Sequence, residues 1–230
     1  MRVGSQAPLK LAVLISGGGR TLKNFIDLAA EGKLPIDIRL VVSSSAKAGG
    51  LKFASGAGIP STVVRRNEYP AGPTGDQAFG DAVFNPCRAA NVDYVVMAGF
   101  MKLAPVPADF EGRVINIHPA LIPAFCGPGM YGDRVHQAVI DAGVRVTGCT
   151  VHFVDNVYDH GPIIWQQPVP VFDDDTADTL GKRVFECEKE AYPHVLRLLA
   201  AGKIKLEGGR VKFVKGQRGE APRTAAYPMD

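Results

Sequence analysis

Residues 11–15 read Leu-Ala-Val-Leu-Ile and run straight into Ser16-Gly17-Gly18-Gly19-Arg20-Thr21. After that turn Leu22, Phe25, Ile26 and Ala29 recur at helical spacing. A buried strand, a glycine turn and an amphipathic helix in that order leave few folds open. The layout aims backbone N–H groups and a helix N-terminus at whatever sits over the turn, which suits an anion. Arg20 and Lys23 add charge nearby. The spacing is neither the G-x-G-x-x-G of a dinucleotide loop nor the Lys-Ser/Thr of a P-loop. A glycine turn that binds nothing is the plain alternative.

The alternation continues along the chain. Ile36–Val42 reads as a second strand closed by Ser43-Ser44-Ser45, then a short helix over 48–56 and a third strand over Ile59–Val64. Residues 67–74, with two prolines and a glycine, form an irregular loop. A helix over 78–90 precedes a fourth strand at Tyr94–Met97. Strands alternating with helices predict an α/β fold: a doubly wound, largely parallel twisted sheet with helices on both faces and right-handed crossovers.

In such sheets ligands bind outside the carboxyl ends of the strands. Val114, Ile115 and Ile117 make a short apolar strand that stops at the Pro119–Pro123 segment. Asn116 and His118 therefore sit at a strand end, two residues apart on one face. One offers an uncharged amide, the other a group that carries a proton near neutral pH. A satisfied core Asn–His pair is the other reading of the same residues. The loop after the fourth strand, AGFMKLAP, is apolar where a turn is usually polar, and suits the wall of a flat heteroaromatic site. Packing of Phe100, Met101 and Leu103 under the next helix explains it equally.

Residues 124–134 carry three glycines and a proline and read as a mobile loop, followed by a helix over about 135–142. Thr147–Val154 alternates in character as a strand, 154–160 is a polar loop ended by Gly161-Pro162, and Ile163–Val171 is a further strand. The run Asp173-Asp174-Asp175 reads as a solvated turn before a helix, not a metal site. Thr176 caps a long helix to about Ala200, with Leu180, Val184, Cys187, Ala191, Val195 and Leu198 facing in and Glu188 on a flank. His136, His152, His160 and His194 read as structural or exposed, with His152 best placed to support the site.

A net charge of +3 without a basic run points away from nucleic acid and leaves anionic small molecules open. Four scattered cysteines, with no C-x-x-C and no histidine at ligand spacing, argue against zinc and a disulfide framework. No apolar run reaches membrane-spanning length. A soluble protein of a reducing, cytoplasmic compartment is expected.

Several segments then coincide in order: LISGGGRTL, VVMAGFM, NIHPALIP, TGCTVHFVDNVYDHGPII, and Glu188 followed by Tyr192-Pro193. Over about Leu11–Ile204 the chain resembles the glycinamide ribonucleotide (phosphoribosylglycinamide) formyltransferases, folate-dependent enzymes of purine synthesis. The resemblance implies a Rossmann-like formyltransferase fold in one domain. Its nucleotide half spans about 11–98, its folate and catalytic half about 99–206, and a peripheral tail 207–230. It implies Asn116, His118 and Asp159 as a catalytic trio, and Gly19, Arg20 and Thr21 as the ribonucleotide loop. Glu188 would contact the nucleotide, and Met101, Lys102, Leu103 and Ala104, with Asn116, would line the folate pocket. The implied co-substrate is 10-formyltetrahydrofolate, with no metal. The implied partners are small molecules, with no nucleic acid or membrane, in a monomer or homodimer.

The chain departs from the family where its loop often reads S-G-N-G-S-N, where Asp76 replaces a frequent arginine, and where 124–134 is longer than in many members. A 10-formyltetrahydrofolate hydrolase commonly adds an N-terminal domain, for which a first strand at Leu11 leaves no room. A methionyl-tRNA formyltransferase adds a basic C-terminal domain, for which too few residues follow Ile204. A non-catalytic nucleotide-binding α/β module has no need of all three of Asn116, His118 and Asp159.

Overall fold

The computed structural model describes residues 7–214. A seven-stranded sheet is built from β1 (Leu9–Ile15), β2 (Ile36–Ser43), β3 (Ser61–Val63), β4 (Tyr94–Met97), β5 (Val114–His118), β6 (Val146–Phe153) and β7 (Ile163–Pro170). Their order is β3-β2-β1-β4-β5-β6-β7. The chain winds outward from β1 to β3, returns to β4, and winds the other way. The strand order thus reverses between β1 and β4, where α/β sheets open a crevice at their carboxyl edge.

Two apolar layers flank the sheet. The larger packs α1 (Arg20–Ala30), α2 (Gly50–Gly56), α4 (Asp133–Asp141) and α5 (Ala177–Ala200) on one face, around Val13, Ile15, Val41, Val96 and Val151. The other sets Phe79, Val83 and Phe84 of α3 (Pro73–Ala89) against Ala12, Leu14, Val42 and Val95. Side chains alternate across each strand, so β1 feeds both layers. All six residues expected to face inward from α5 are buried. Its N-terminus is fixed as the sequence requires: Thr176 Oγ1 accepts from Thr179 N–H, and Thr179 Oγ1 accepts from Thr176 N–H.

The sheet is largely parallel, as expected, and three details differ. First, strand β6 runs antiparallel to both neighbours. The chain leaves β5 through a long loop and the nine-residue α4, and re-enters the sheet from the same edge. Second, α3 begins at Pro73, with proline in the first turn where its missing N–H costs nothing. Residues 73 and 74 of the expected loop are therefore helical. Third, the segment after residue 203 makes a small hairpin, β8 (Ile204–Glu207) with β9 (Arg210–Phe213), which touches β7. The part of the expected tail beyond residue 214 lies outside the described residues. No helix among the described residues is long and apolar enough to cross a membrane.

Candidate active site

A cavity of about 410 Å³ lies over the carboxyl ends of β1, β4 and β5. Strand β5 supplies Asn116 and His118 to one face, and their β6 partners in register are His152 and Thr150. These four polar side chains continue the face that α3 covers over β1 and β4. In place of a helix, the loop 154–162 brings Asp159 to this patch.

His118 is only 3% exposed. Its Nε2 donates to the Phe125 carbonyl at 2.8 Å, and its Nδ1 lies 3.5 Å from Asp159 Oδ2. The same carboxylate oxygen accepts the Gly127 N–H at 2.9 Å, which ties the 154–162 loop to the 119–132 loop. Asp159 Oδ1 lies 3.8 Å from His152 Nε2. His152 is buried, and burial holds its pKa below the ordinary histidine value, with the Phe153 carbonyl pulling the other way. Its Nδ1 sits 2.8 Å from that carbonyl, an acceptor only, so Nδ1 carries the proton. Nε2 then accepts from Asn116 Nδ2 at 3.3 Å, which fixes which end of the amide is the donor. His152 thus orients Asn116, as its strand position suggests.

The glycine turn forms the opposite wall. Gly19 has φ +72°, and a Cβ there would meet Gly50 Cα at 2.4 Å. Gly19 therefore serves the close approach of two backbones, while Gly17 and Gly18 have open space in front of them. No side chain caps the first turn of α1. The guanidinium of Arg20 stacks on the Phe185 ring at 4.1 Å. Glu188 lines the same end of the cavity, and burial pushes its carboxyl up to about 7 against the opposing pull of Arg20.

The third wall is the loop after β4. Ser16 Oγ accepts the Met101 N–H at 2.9 Å, and the Ser16 N–H donates to Gly99 O at 3.1 Å, which pins this loop to the end of β1. Phe100 and Ala104 pack into the smaller core layer, whereas Met101 and Leu103 are 51% and 40% exposed and line the cavity with Lys102. Tyr131, Val157 and Tyr158 add exposed apolar surface at the same mouth.

The candidate trio, the loop residues Gly19, Arg20 and Thr21, Glu188 and Met101 to Ala104 all line this one cavity, whereas Lys23 stays outside it and pairs with Asp27. Sequence reasoning missed His136. It is buried on α4, lines the cavity and, among the described residues, leaves Nδ1 without a hydrogen-bond partner, and burial lowers its pKa. It also missed the Gly127 N–H and the Phe125 carbonyl, backbone groups that no residue type announces. Asp76 stays outside the lining and pairs with Arg66. The acidic run reads as solvated in the sequence, yet the Asp175 side chain is buried in a two-pronged pair with Arg183 at 2.7 and 2.8 Å. Among the described residues no group of three or more His, Cys, Asp or Glu side chains is placed to hold a metal.

Known proteins share this fold. The formyl transferase pattern matches residues 9–196. The chain belongs to the formyl transferase family. Within that family it is 38% identical over 200 residues to phosphoribosylglycinamide formyltransferase of Haemophilus influenzae, covering 86% of this chain and 90% of that protein. It is 40% identical over 206 residues to the trifunctional purine biosynthetic protein adenosine-3 of Gallus gallus, which covers 88% of this chain but only 20% of that larger protein. The crystal structure of glycinamide ribonucleotide transformylase 1 from Symbiobacterium toebii superposes with a TM-score of 0.82 at 37% identity, covering 91% of this chain and 96% of that one.

Proposed function

We propose that this formyl transferase family member moves a formyl group from 10-formyltetrahydrofolate to the amine of N1-(5-phospho-D-ribosyl)glycinamide. The observation that supports this reading is the convergence of Asn116, His118 and Asp159 on one cavity with two dissimilar ends. One end offers glycine backbone, a helix N-terminus and Arg20, which suits a phosphate. The other offers exposed apolar side chains on a pinned loop, which suits a flat pterin and its aryl tail. The glycine-turn end draws on both proposed halves of the domain, with Glu188 of the second half beside Arg20 of the first, while the apolar end comes from residues after 98.

The chemistry follows from these positions. The amine nitrogen attacks the formyl carbon, a carbon–nitrogen bond forms, and charge collects on the formyl oxygen. Asn116 Nδ2, steadied by His152, donates to that oxygen. As the bond to N10 of the folate breaks, the proton released by the attacking amine must reach N10. Asp159 and His118 lie side by side to carry it. No enzyme nucleophile and no change of oxidation state are needed. The test is a coupled assay of purified protein with both substrates, run alongside Asn116→Ala, His118→Ala and Asp159→Asn. Loss of one oxyanion donor typically lowers kcat on the order of 10²–10³-fold. Near-normal turnover in all three folded variants would show that the trio is a structural cluster.

A further inference from the structure

Among the described residues other than glycine, only Asn91, Phe125 and Asp159 hold a positive φ. Two of these three contact His118, one at each ring nitrogen. Phe125 is the more unusual, because an aromatic side chain at φ 52° is a strained conformation. Such strain persists only where the surroundings over-determine it. Here the Phe125 ring packs on the larger core layer, and two residues further on the Gly127 N–H is held by Asp159. The peptide between is thereby turned so that its carbonyl points at Nε2 of His118.

A carbonyl oxygen can only accept, so at 2.8 Å it fixes the hydrogen on Nε2. Nε2 is then fully engaged and faces backbone. Nδ1 faces Asp159 Oδ2 across 3.5 Å, a gap longer than a good hydrogen bond, with no backbone partner of its own. We infer that Phe125 is a positioning residue. Its carbonyl, presented by a left-handed backbone, anchors Nε2 and leaves Nδ1 as the nitrogen that exchanges a proton with Asp159 and the reacting amine. The last clause rests on the formyl-transfer reading; the tautomer assignment does not. In that reaction the amine proton passes through the Nδ1–Asp159 pair to N10 as the bond to N10 breaks, so the enzyme ends with the protons it began with.

The geometry separates two substitutions that remove the same ring. Phe125→Val places a β-branched side chain where positive φ is least tolerated, and turns the carbonyl away. Phe125→Asn tolerates the left-handed region. Both lose the aromatic packing, so both lower the melting temperature. The full-length protein is labelled with ¹⁵N-histidine, and long-range ¹H–¹⁵N spectra are recorded at alkaline pH, with the His118 signal assigned by its absence from His118→Gln. The expected result is Nε2–H for His118 in the wild type and in Phe125→Asn, and a mixture of tautomers in Phe125→Val. In turnover, Phe125→Val should lose on the order of 10² in kcat, the effect of a roughly 1 Å misplacement, with both KM values little changed. Phe125→Asn should stay roughly tenfold more active than Phe125→Val, because its backbone conformation survives. A wild-type His118 protonated on Nδ1 at alkaline pH, or equal losses in the two variants, overturns the inference. A wild type that transfers no formyl group instead refutes the proposed reaction, and the tautomer spectra then still decide the role of the Phe125 carbonyl.

Discussion

Replacing Glu188 by glutamine should raise the stability of the protein while weakening its hold on the nucleotide, and both effects should grow with pH. The carboxyl lies in packed protein at the glycine-turn end of the cavity, and burial lifts its pKa from 4.5 to about 7. The folded state therefore binds this proton more tightly than the unfolded chain does. Below about pH 4.5 both states are protonated and the group imposes no electrostatic cost. As pH rises from about 4.5 to 7 the unfolded chain ionises in water while the folded state keeps its proton, and above 7 the folded state must hold the charge in the packed site. The difference approaches ~3 kcal/mol, at about 1.4 kcal/mol per pH unit. The carboxyl keeps partial access to the cavity, so this figure is an upper bound. Glu188→Gln removes the charge and keeps the shape. Denaturant unfolding should thus find the variant more stable than wild type at pH 8, less so at pH 5, and indistinguishable from it only below about pH 4. If the nucleotide is recognised by the ionised carboxylate, the kinetic effect runs the other way. About one wild-type carboxyl in ten is ionised at pH 6 and about nine in ten at pH 8, so the nucleotide KM gap between wild type and variant should widen by up to roughly tenfold. A stability difference that does not change between pH 5 and 8 would refute the buried-charge argument. A KM gap independent of pH would refute the carboxylate's part in binding.

Gly18 and Gly19 should respond in opposite ways: Gly18→Val enters open space and should raise the nucleotide KM with little change in melting temperature, whereas Gly19→Ala drives a Cβ to 2.4 Å from Gly50 Cα and should chiefly destabilise. A Gly18→Val enzyme with unchanged nucleotide KM and a raised folate KM would misplace the phosphate end. The hydroxyl of the fully buried Tyr192 reaches the carbonyls of Met97, the last residue of β4, at 3.1 Å and of Ile115, within β5, at 2.9 Å. Tyr192→Phe should therefore cost about 1–3 kcal/mol in unfolding free energy, and a neutral result would mean the carbonyls find other donors. Arg183 holds Asp175 down at about 2, below its ordinary 3.8. The stability it confers is complete above about pH 4 and lost as pH falls towards 2. Acid titration of unfolding should show this loss in wild type and lack it in Asp175→Asn.

Strands, helices and the polar pair at the end of β5 are written locally in the chain. Leu11–Ile15 and Val114–Ile117 are apolar runs ended by glycine or proline, and their termini hardly depend on distant residues. Asn116 and His118 share a face because strand side chains alternate with a period of two, whatever the strand pairs with. The inward stripe of α5 follows from helical spacing in the same way. By contrast, the direction of β6 depends on where a loop and a short helix return the chain, which no local pattern records. Its alternation of Thr150 and His152 with Val151 and Phe153 fits an antiparallel strand, but also fits an edge of a parallel sheet. Glu188 lies off the α5 stripe because the stripe defines what meets the sheet. Only the packing of α5 beside α1 turns that flank into a cavity wall. Asp175 looks solvated until Arg183, two turns into the helix, folds back on it. The arrangement around His118 was furthest from reach, since its partners are a backbone carbonyl at Phe125, a backbone N–H at Gly127 and two positive φ angles. Residue types state which side chains a site can use, whereas backbone groups are identical at almost every position and acquire a role only when tertiary contacts fix where they point.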